Sequence, residues 1–373
     1  MTFALVVAAV TSAYYFFFVV RVIWGLRRLT PPVPPSSLDT VTVIVAARNE
    51  EDKIGRCIES VLSQEYPSDL LRLIVVDDGS EDATAAVVIS AAQADARVQL
   101  LSLPPQAATG IGRKPEAIRM AVERSASTLV VTTDADCQHD PRWLRALAGT
   151  FRESTALVAG PVALREGSTL FSRIERMDFL GLVASGAGLI GAGRPIICNG
   201  ANLAYRREVY LKALDRIQHS SNDDGTLMSR IVTRGLGGVR FAHAPEAVVN
   251  TPGQDDIRSF FRQRRRWAAV RGRFLDPTIY VELSALFLFF LTLIAATVLA
   301  PGSASWRTAA VIMWIGKVAL DWQATSQAAS SWGVGIRISD FVAAELFHPI
   351  SIVLATLGSV VAPFHWKGRT LAR

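Results

Sequence analysis

Two carboxylates one residue apart, Asp134 and Asp136, stand in Thr132-Thr133-Asp134-Ala135-Asp136, directly after the apolar run Thr128-Leu129-Val130-Val131. Alternate residues of extended chain point the same way, so both carboxylates can face one point. Hard divalent cations take such oxygen ligands, and Mg²⁺ or Mn²⁺ commonly bridges a carboxylate to a substrate phosphate. Ligands of open α/β sheets sit beyond the carboxyl ends of the strands. A polar turn closing a strand would use the same residues, so the surroundings decide between the two. Neither carboxylate has a cation of its own nearby in the sequence.

The elements that must position this pair are legible. Val41–Ala46 reads as a buried parallel strand, followed by a helix from about Glu51 to Gln64. Leu71–Val76 is a second strand and ends in Asp77-Asp78-Gly79-Ser80. A helix over Ala83–Ala94, a strand over Val98–Leu103 and a helix over Lys114–Glu123 precede the strand before Asp134. Strands alternating with helices predict a parallel sheet with right-handed crossovers. No Gly-x-Gly-x-x-Gly follows the first strand and there is no Walker loop, which argues against a dinucleotide enzyme or a P-loop NTPase.

Of 373 residues, 50% are hydrophobic and only 19% charged, which points to membrane segments beside a globular part. The net charge is +6, and much of the excess is Arg near apolar segments. A negatively charged membrane surface explains that better than nucleic acid. Cys57, Cys137 and Cys198 are far apart and form no zinc or disulfide pattern, which fits a reducing compartment.

The domain reading is a transmembrane helix over 1–26, a stiff Pro-rich linker over 27–39, a globular domain over 40–275 and a membrane region over 276–373 with two to three hydrophobic segments. Arg21, Arg27 and Arg28 place the domain in the cytoplasm by the positive-inside bias. Tyr280–Ala300 is one clear span. Thr308–Gln323 is weaker, because Lys317 and Asp321 lie within it and would neutralise each other four residues apart. Phe341–Pro363 is interrupted by Glu345, His348 and Pro349. Four full crossings would put the basic tail of Lys367, Arg369 and Arg373 outside, so either one C-terminal segment is re-entrant or interfacial, with Arg337–His348 the stretch that suggests it, or the positive-inside bias fails here. Thr169–Gly193 has Leu170, Phe171, Ile174 and Met177 at helical spacing, with Arg173, Glu175 and Arg176 between them. It reads either as a helix in the membrane interface or as an ordinary amphipathic helix covering the sheet.

Four motifs in order carry a resemblance. They are Asp77-Asp78-Gly79-Ser80, Asp134-Ala135-Asp136, Asn222-Asp223-Asp224-Gly225-Thr226-Leu227 and Gln263-Arg264-Arg265-Arg266-Trp267. Together they resemble the membrane-bound branch of family 2 glycosyltransferases, the group of cellulose, chitin and hyaluronan synthases and ceramide glucosyltransferase. The resemblance spans Val41–Trp267, and Trp366-Lys367-Gly368-Arg369 is similar to the tail of several lipid-directed members. It implies an α/β, GT-A-like domain, a nucleotide-sugar donor, a divalent cofactor and inversion.

The resemblance also implies roles. Glu50, in Ala47-Arg48-Asn49-Glu50, and Asp78 would contact the base or ribose, with Asp134 near the ribose or metal and Asp136 on the metal. Lys114 resembles the lysine of a Gly-Lys-x-x-Ala element, but Arg113 separates it from Gly112. A solvated lysine at a helix start is its other reading. Asp224, with Asp223 beside it, would be the base that an acceptor hydroxyl needs. A carboxylate pair at a helix start also suits the macrodipole. Gln263, Arg266 and Trp267 would meet the donor diphosphate and wall the acceptor site, while Arg258, Arg262, Arg264, Arg265, Arg271 and Arg273 anchor anionic lipid. Gly200 and Asn202 would touch the acceptor. His139 lies where related transferases keep a third metal ligand, but reads as a solvated loop histidine.

The expected function is transfer of a sugar, UDP-linked, to a membrane lipid at the cytoplasmic face of a bacterial inner membrane. A nucleotidyltransferase would use the same metal chemistry but gives no reason for Gln263-x-x-Arg266-Trp267. A scaffold would not need the carboxylates. A polymer synthase needs a pore of several helices, more than one copy offers.

Overall fold

The computed structural model describes residues 2–104, 113–213, 223–268, 274–361, 364–366 and 369–371, with backbone alone for Thr2, Asp223 and from 360 onward. Gly112, Asn222, Arg271, Arg273, Lys367, Gly368, Arg373 and the side chain of Asp223 therefore lie outside the described residues.

The chain opens with helix α1 (Thr2–Arg28), and the Pro-rich segment after it is non-helical. Val33 there donates its N–H to the Gly149 carbonyl at 3.0 Å, tying the linker to the globular part. Then come β1 (Val41–Ala47), α2 (Glu51–Leu62), β2 (Leu71–Asp77), α3 (Thr84–Ala94), β3 (Val98–Ser102), α4 (Lys114–Arg124) and β4 (Leu129–Asp134). These match the predicted alternation to within a residue or two at each end. β3, β2, β1 and β4 run parallel in that order. In register, Ala47 faces Asp77 and Ala46 faces Asp134, so Glu50, Asp78 and Asp134 leave one edge of the sheet. β1 lies between β2 and β4, and that is where the strand order reverses.

The second half departs from the all-parallel expectation. It contains β5 (Gln138–His139), α5 (Trp143–Ala148), β6 (Thr155–Ala159), β7 (Val162–Leu164), α6 (Leu170–Gly191), β8 (Leu203–Arg206), α7 (Arg207–Ala213), α8 (Asp223–Thr233), β9 (Gly238–Phe241) and β10 (Val249–Thr251). β8 enters antiparallel between β4 and β6, with β9 beyond, and β5, β10 and β7 form a small second sheet. α6 carries the chain across before β8 begins, so β8 returns against β4 rather than along it.

The large sheet is covered on one face by α2 and α5, through Ile54, Ile58, Trp143 and Leu147. Its other face meets α4 and α8, through Ala117, Val122, Met228 and Ile231. That second core continues without a break into α1, α10 (Thr278–Leu299), α11 (Ala304–Trp332) and α12 (Ile338–Val361). Between the globular part and α10 lies α9 (Ile257–Ala268), and the chain ends in the pair β11 (Phe364–Trp366) and β12 (Arg369–Leu371).

Three helices, Phe3–Arg28, Thr278–Gly302 and Ile338–Ser359, are long and apolar enough to cross a membrane. α11 is not among them by composition, yet it presents exposed Val311, Ile312 and Ile315 outward and packs against α10 and α1. Its Lys317 is fully buried and meets Asp321 at 2.9 Å, as the spacing predicts, and also Glu345 of α12. α12 qualifies by composition, and Pro349 does not interrupt it. It is held near both ends: Asp340 lies 3.8 Å from Arg173 of α6, and the Gly358 carbonyl accepts from Arg265 Nε of α9 at 3.1 Å.

α6 is neither polar-faced nor a cover for the sheet alone. Glu175 is buried and accepts the Gln254 N–H at 2.9 Å, and Asp178 is buried as well. α6 packs against α1, α11 and α12. Gly188 and Gly191 let it meet α1 backbone to backbone, since a Cβ at Gly188 would come within 2.4 Å of the Val22 carbonyl oxygen.

Candidate active site

The acidic end of β4 is the centre. Asp136 accepts from Thr251 Oγ at 3.3 Å, and its own carbonyl accepts from Arg165 at 2.8 Å. Burial raises the Asp136 carboxyl above the ordinary carboxylate range, and the Asp134 and Glu50 carboxylates push it further. Burial likewise raises the Cys57 and Cys137 thiols, again with help from Asp134 and Asp136. The pocket edge is therefore a site of concentrated negative potential.

Sequence alone suggested that this pair lacked a cation. The fold supplies one: Lys114 Nζ stands 2.6 Å from Asp134 Oδ1. Lys114 opens α4, and the α4 start lies beside the β4 end, so it is not merely a solvated helix-start lysine. Its neighbour Arg113 turns the other way, pairing with Glu116 at 2.7 Å and standing 3.7 Å from buried Asp78. Arg113 was missed as a site residue because it reads as an interruption between Gly112 and Lys114. Glu50 stands at the N-terminus of α2, where its N–H donates to Thr84 Oγ at 2.8 Å. Asn49 before it takes a left-handed φ of 52°, which turns the chain out of β1.

Oxygen donors from two carboxylates fit a hard dication. Among the described residues no group of three or more His, Cys, Asp or Glu stands ready to hold a metal. Asp134 and Asp136 would thus share the ion with phosphate and water oxygens. His139 is no ligand and no solvated loop residue. Its ring is buried, stacks on Trp143 at 4.0 Å, and bonds Ser60 and Thr133 at 2.8 Å through its two nitrogens. Burial takes its pKa down to about 3.

Asp224, at the start of α8, is held by two backbone donors. Gly200 N–H reaches Oδ2 at 2.8 Å and Gly225 N–H reaches Oδ1 at 2.8 Å. Each oxygen keeps a second lone pair for another donor. Gly200 therefore positions Asp224. Asn202 does not face an acceptor: its side chain is fully buried, donates to the Pro161 and Ala247 carbonyls at 2.7 and 2.8 Å, and accepts from Trp143 Nε1 at 3.0 Å. The carboxamide ties the start of α5 to the backbone at Pro161 and Ala247, and the Gly-x-Asn spacing could not separate that task from substrate contact.

On α9, Gln263, Arg266 and Trp267 are half-buried. The lipid-anchoring reading fails for two of their neighbours. Arg264 is buried, bonds Asp178 of α6 at 2.5 Å and stacks over Trp267 at 4.7 Å. Arg265 bonds the Gly358 carbonyl on α12. His348 of α12 bonds the other Asp178 oxygen at 2.6 Å. Burial alone would raise the Asp178 carboxyl, but Arg264 and then His348 bring it down to about 2. Asp178 so fixes the helix that carries Arg266 and Trp267.

One cavity of about 550 Å³ joins these parts. Asp224 and Trp267 line it beside the globular part, and Tyr15, Phe290, Asp321 and Glu345 line it among the long helices.

A model of the family described as "Glycosyltransferase like family 2" matches residues 37–269. The chain belongs to glycosyltransferase family 2. An N-acetylglucosaminyltransferase of Rhizobium meliloti (strain 1021) is 29% identical over 262 residues, covering 68% of this chain and 60% of that protein. A hyaluronan synthase of Streptococcus pyogenes is 26% identical over 243 residues, 61% of this chain and 56% of that one. The chain spans about 60% of the length of the curated relatives it matches. A mannosyltransferase from Pyrobaculum calidifontis, solved in complex with GDP-Man and Mn²⁺, superposes with a TM-score of 0.57 at 18% identity, over 96% of this chain and 99% of that one. The fold of this family 2 transferase is GT-A-like, with apolar helices on both sides of the globular domain.

Proposed function

We propose that this transferase moves a sugar from a nucleotide-diphosphate donor, UDP-linked, to a hydroxyl of a membrane lipid with inversion. The observation that carries the reading is the single cavity walled by Asp224 and Trp267 at one end and by Tyr15, Phe290 and Asp321 of the long helices at the other. A lipid reaches such a cavity sideways from the bilayer, whereas a water-soluble acceptor has no use for its apolar walls.

In this reading Asp224 takes the proton from the acceptor hydroxyl as it attacks the sugar, and the two backbone donors keep its carboxylate in place. Inversion follows from the family 2 resemblance together with Asp224 acting as a base, so that the acceptor oxygen attacks the sugar in one displacement. Asp136 and Asp134 hold Mg²⁺ or Mn²⁺, which when bound neutralises charge on the diphosphate leaving group. Lys114 and Arg266 meet the diphosphate, Gln263 and Trp267 border donor and acceptor, and Glu50 and Asp78 take base and ribose. We therefore read the chain as a member of the membrane-bound Gln-x-x-Arg-Trp subgroup. N-acetylglucosaminyl donors head the donor screen because of the name of the Rhizobium relatives.

The same reading sets the membrane arrangement. α1, α10 and α11 cross, while α6 and α12 lie at the boundary, since α12 is tied to α6 near its start and to α9 near its end. Three crossings put Arg27, Arg28 and the basic tail on one side, the cytoplasmic one by the positive-inside bias. In this proposal three crossings, not four, carry the chain.

Polymer synthesis is the second reading, favoured by the similarity to a hyaluronan synthase. It requires a partner or self-association to complete a pore. Purified full-length chain in a lipid mimetic, given labelled donor and membrane lipid, separates the two. An organic-soluble product heavier by one sugar supports the lipid reading, and long glycosidase-sensitive polymer overturns it.

A further inference from the structure

The far end of the cavity is not apolar. Tyr15 Oη donates to both oxygens of Asp321 at 2.8 and 2.7 Å, and Lys317 Nζ lies 2.9 Å from Asp321 and in contact with Glu345. Tyr15, Asp321 and Glu345 open into the cavity, while Lys317 behind them is fully buried. Two acidic side chains face one ammonium here. Charged groups placed among apolar helices are costly, and they are usually turned to a partner or to a pathway. A purely structural pair could be sealed from the cavity. This one forms its wall.

Asp321 precedes Trp332 by 332 − 321 = 11 residues, and Trp332 bonds His243 of the globular domain at 3.2 Å. At 1.5 Å per residue that is about 16 Å of helix. Tyr15 precedes Arg28, the foot of α1, by 28 − 15 = 13 residues, which is about 20 Å. The rest of the lining includes apolar Phe18, Met177, Phe179, Leu283, Phe287 and Phe290, and the Arg264–Asp178–His348 group whose charges answer one another.

We propose that Tyr15, Asp321, Lys317 and Glu345 form a second polar subsite that binds a hydrogen-bonding group, a hydroxyl above all, carried by the acceptor remote from the hydroxyl that is glycosylated. The acceptor is then a bifunctional lipid: one polar group at Asp224, an apolar body, and a second polar group at the far end. A plain alkyl or prenyl chain would leave the carboxylates facing hydrocarbon, and a hydrogen-bonding site discriminates strongly against a ligand lacking its partner. The proposal rests on the lipid-acceptor reading above and names the class of lipid.

The test compares a series of primary alkanols with α,ω-alkanediols of the same lengths, as acceptors for purified full-length enzyme in a lipid mimetic. One diol length is expected to exceed its alkanol in kcat/KM by about ten-fold, with a clear length optimum. Tyr15→Phe should lower the ratio of diol to alkanol kcat/KM several-fold at the optimal length. Asp321→Asn should abolish the preference, with thermal unfolding measured alongside because Lys317 loses a partner. Equal use of diols and alkanols at every length, or a preference untouched by Tyr15→Phe, overturns the subsite while the lipid reading stands. Use of neither series, with transfer to soluble sugar intact, overturns both.

Discussion

The Gly200 N–H donates to Asp224 Oδ2 at 2.8 Å, across 24 residues of sequence. With Gly225 on the other oxygen, both lone-pair sets are oriented before any acceptor arrives. Asp224→Asn removes the base and sets an amide N–H₂ against one of the two backbone donors. Transfer should fall by about two to four orders of magnitude with donor affinity retained. Single-turnover transfer and calorimetric donor binding check this. Near-normal transfer would leave Asp224 only its helix-start role.

Chelation should abolish turnover, and Mn²⁺ or Mg²⁺ should restore it, because Asp134, Asp136 and Glu50 crowd negative charge at one edge. Asp136→Asn should lose donor binding and rate together. Lys114→Met should tighten Mn²⁺ binding without donor several-fold, since the 2.6 Å contact to Asp134 is gone. Unchanged turnover in excess chelator contradicts the metal assignment.

Asn202→Ala should act on stability. It strands two carbonyls and the Trp143 indole N–H in a fully buried site, at a cost of about 3 kcal/mol. Activity per folded molecule and acceptor KM should stay close to wild type at low temperature. A raised acceptor KM with unchanged unfolding temperature would restore the substrate-contact role.

His139 predicts an acid limit. Its folded pKa of about 3 lies below the unfolded value near 6.5, so the folded state binds fewer protons between them. Its contribution is intact above pH 6.5 and is lost as pH falls toward 3, reaching about 2 kcal/mol by pH 5. His139→Gln, which can still bridge Ser60 and Thr133, should flatten that slope in unfolding curves taken from pH 7 to 5.

Much of the catalytic half was legible in sequence because its signals are local. Val41–Ala47 and Leu71–Asp77 are continuous apolar runs, and a buried parallel strand needs nothing else to be recognised. The polar residues that close those runs stand at the strand ends by construction, so Glu50, Asp78, Asp134 and Asp136 could be placed at one edge. Lys317 and Asp321 could be paired because one helical turn separates them. What tertiary structure alone decided is which distant side chain answers each polar group. Lys114 reaches Asp134, Arg264 and His348 converge on Asp178 from 86 and 170 residues away, and Asn202 turns inward to Trp143, Pro161 and Ala247. Glu345 joins Lys317 only because α12 folds back against α11. A charge or carboxamide has the same local signature whether it meets substrate, lipid or another element. Its partner is set by burial, which no short stretch of chain contains.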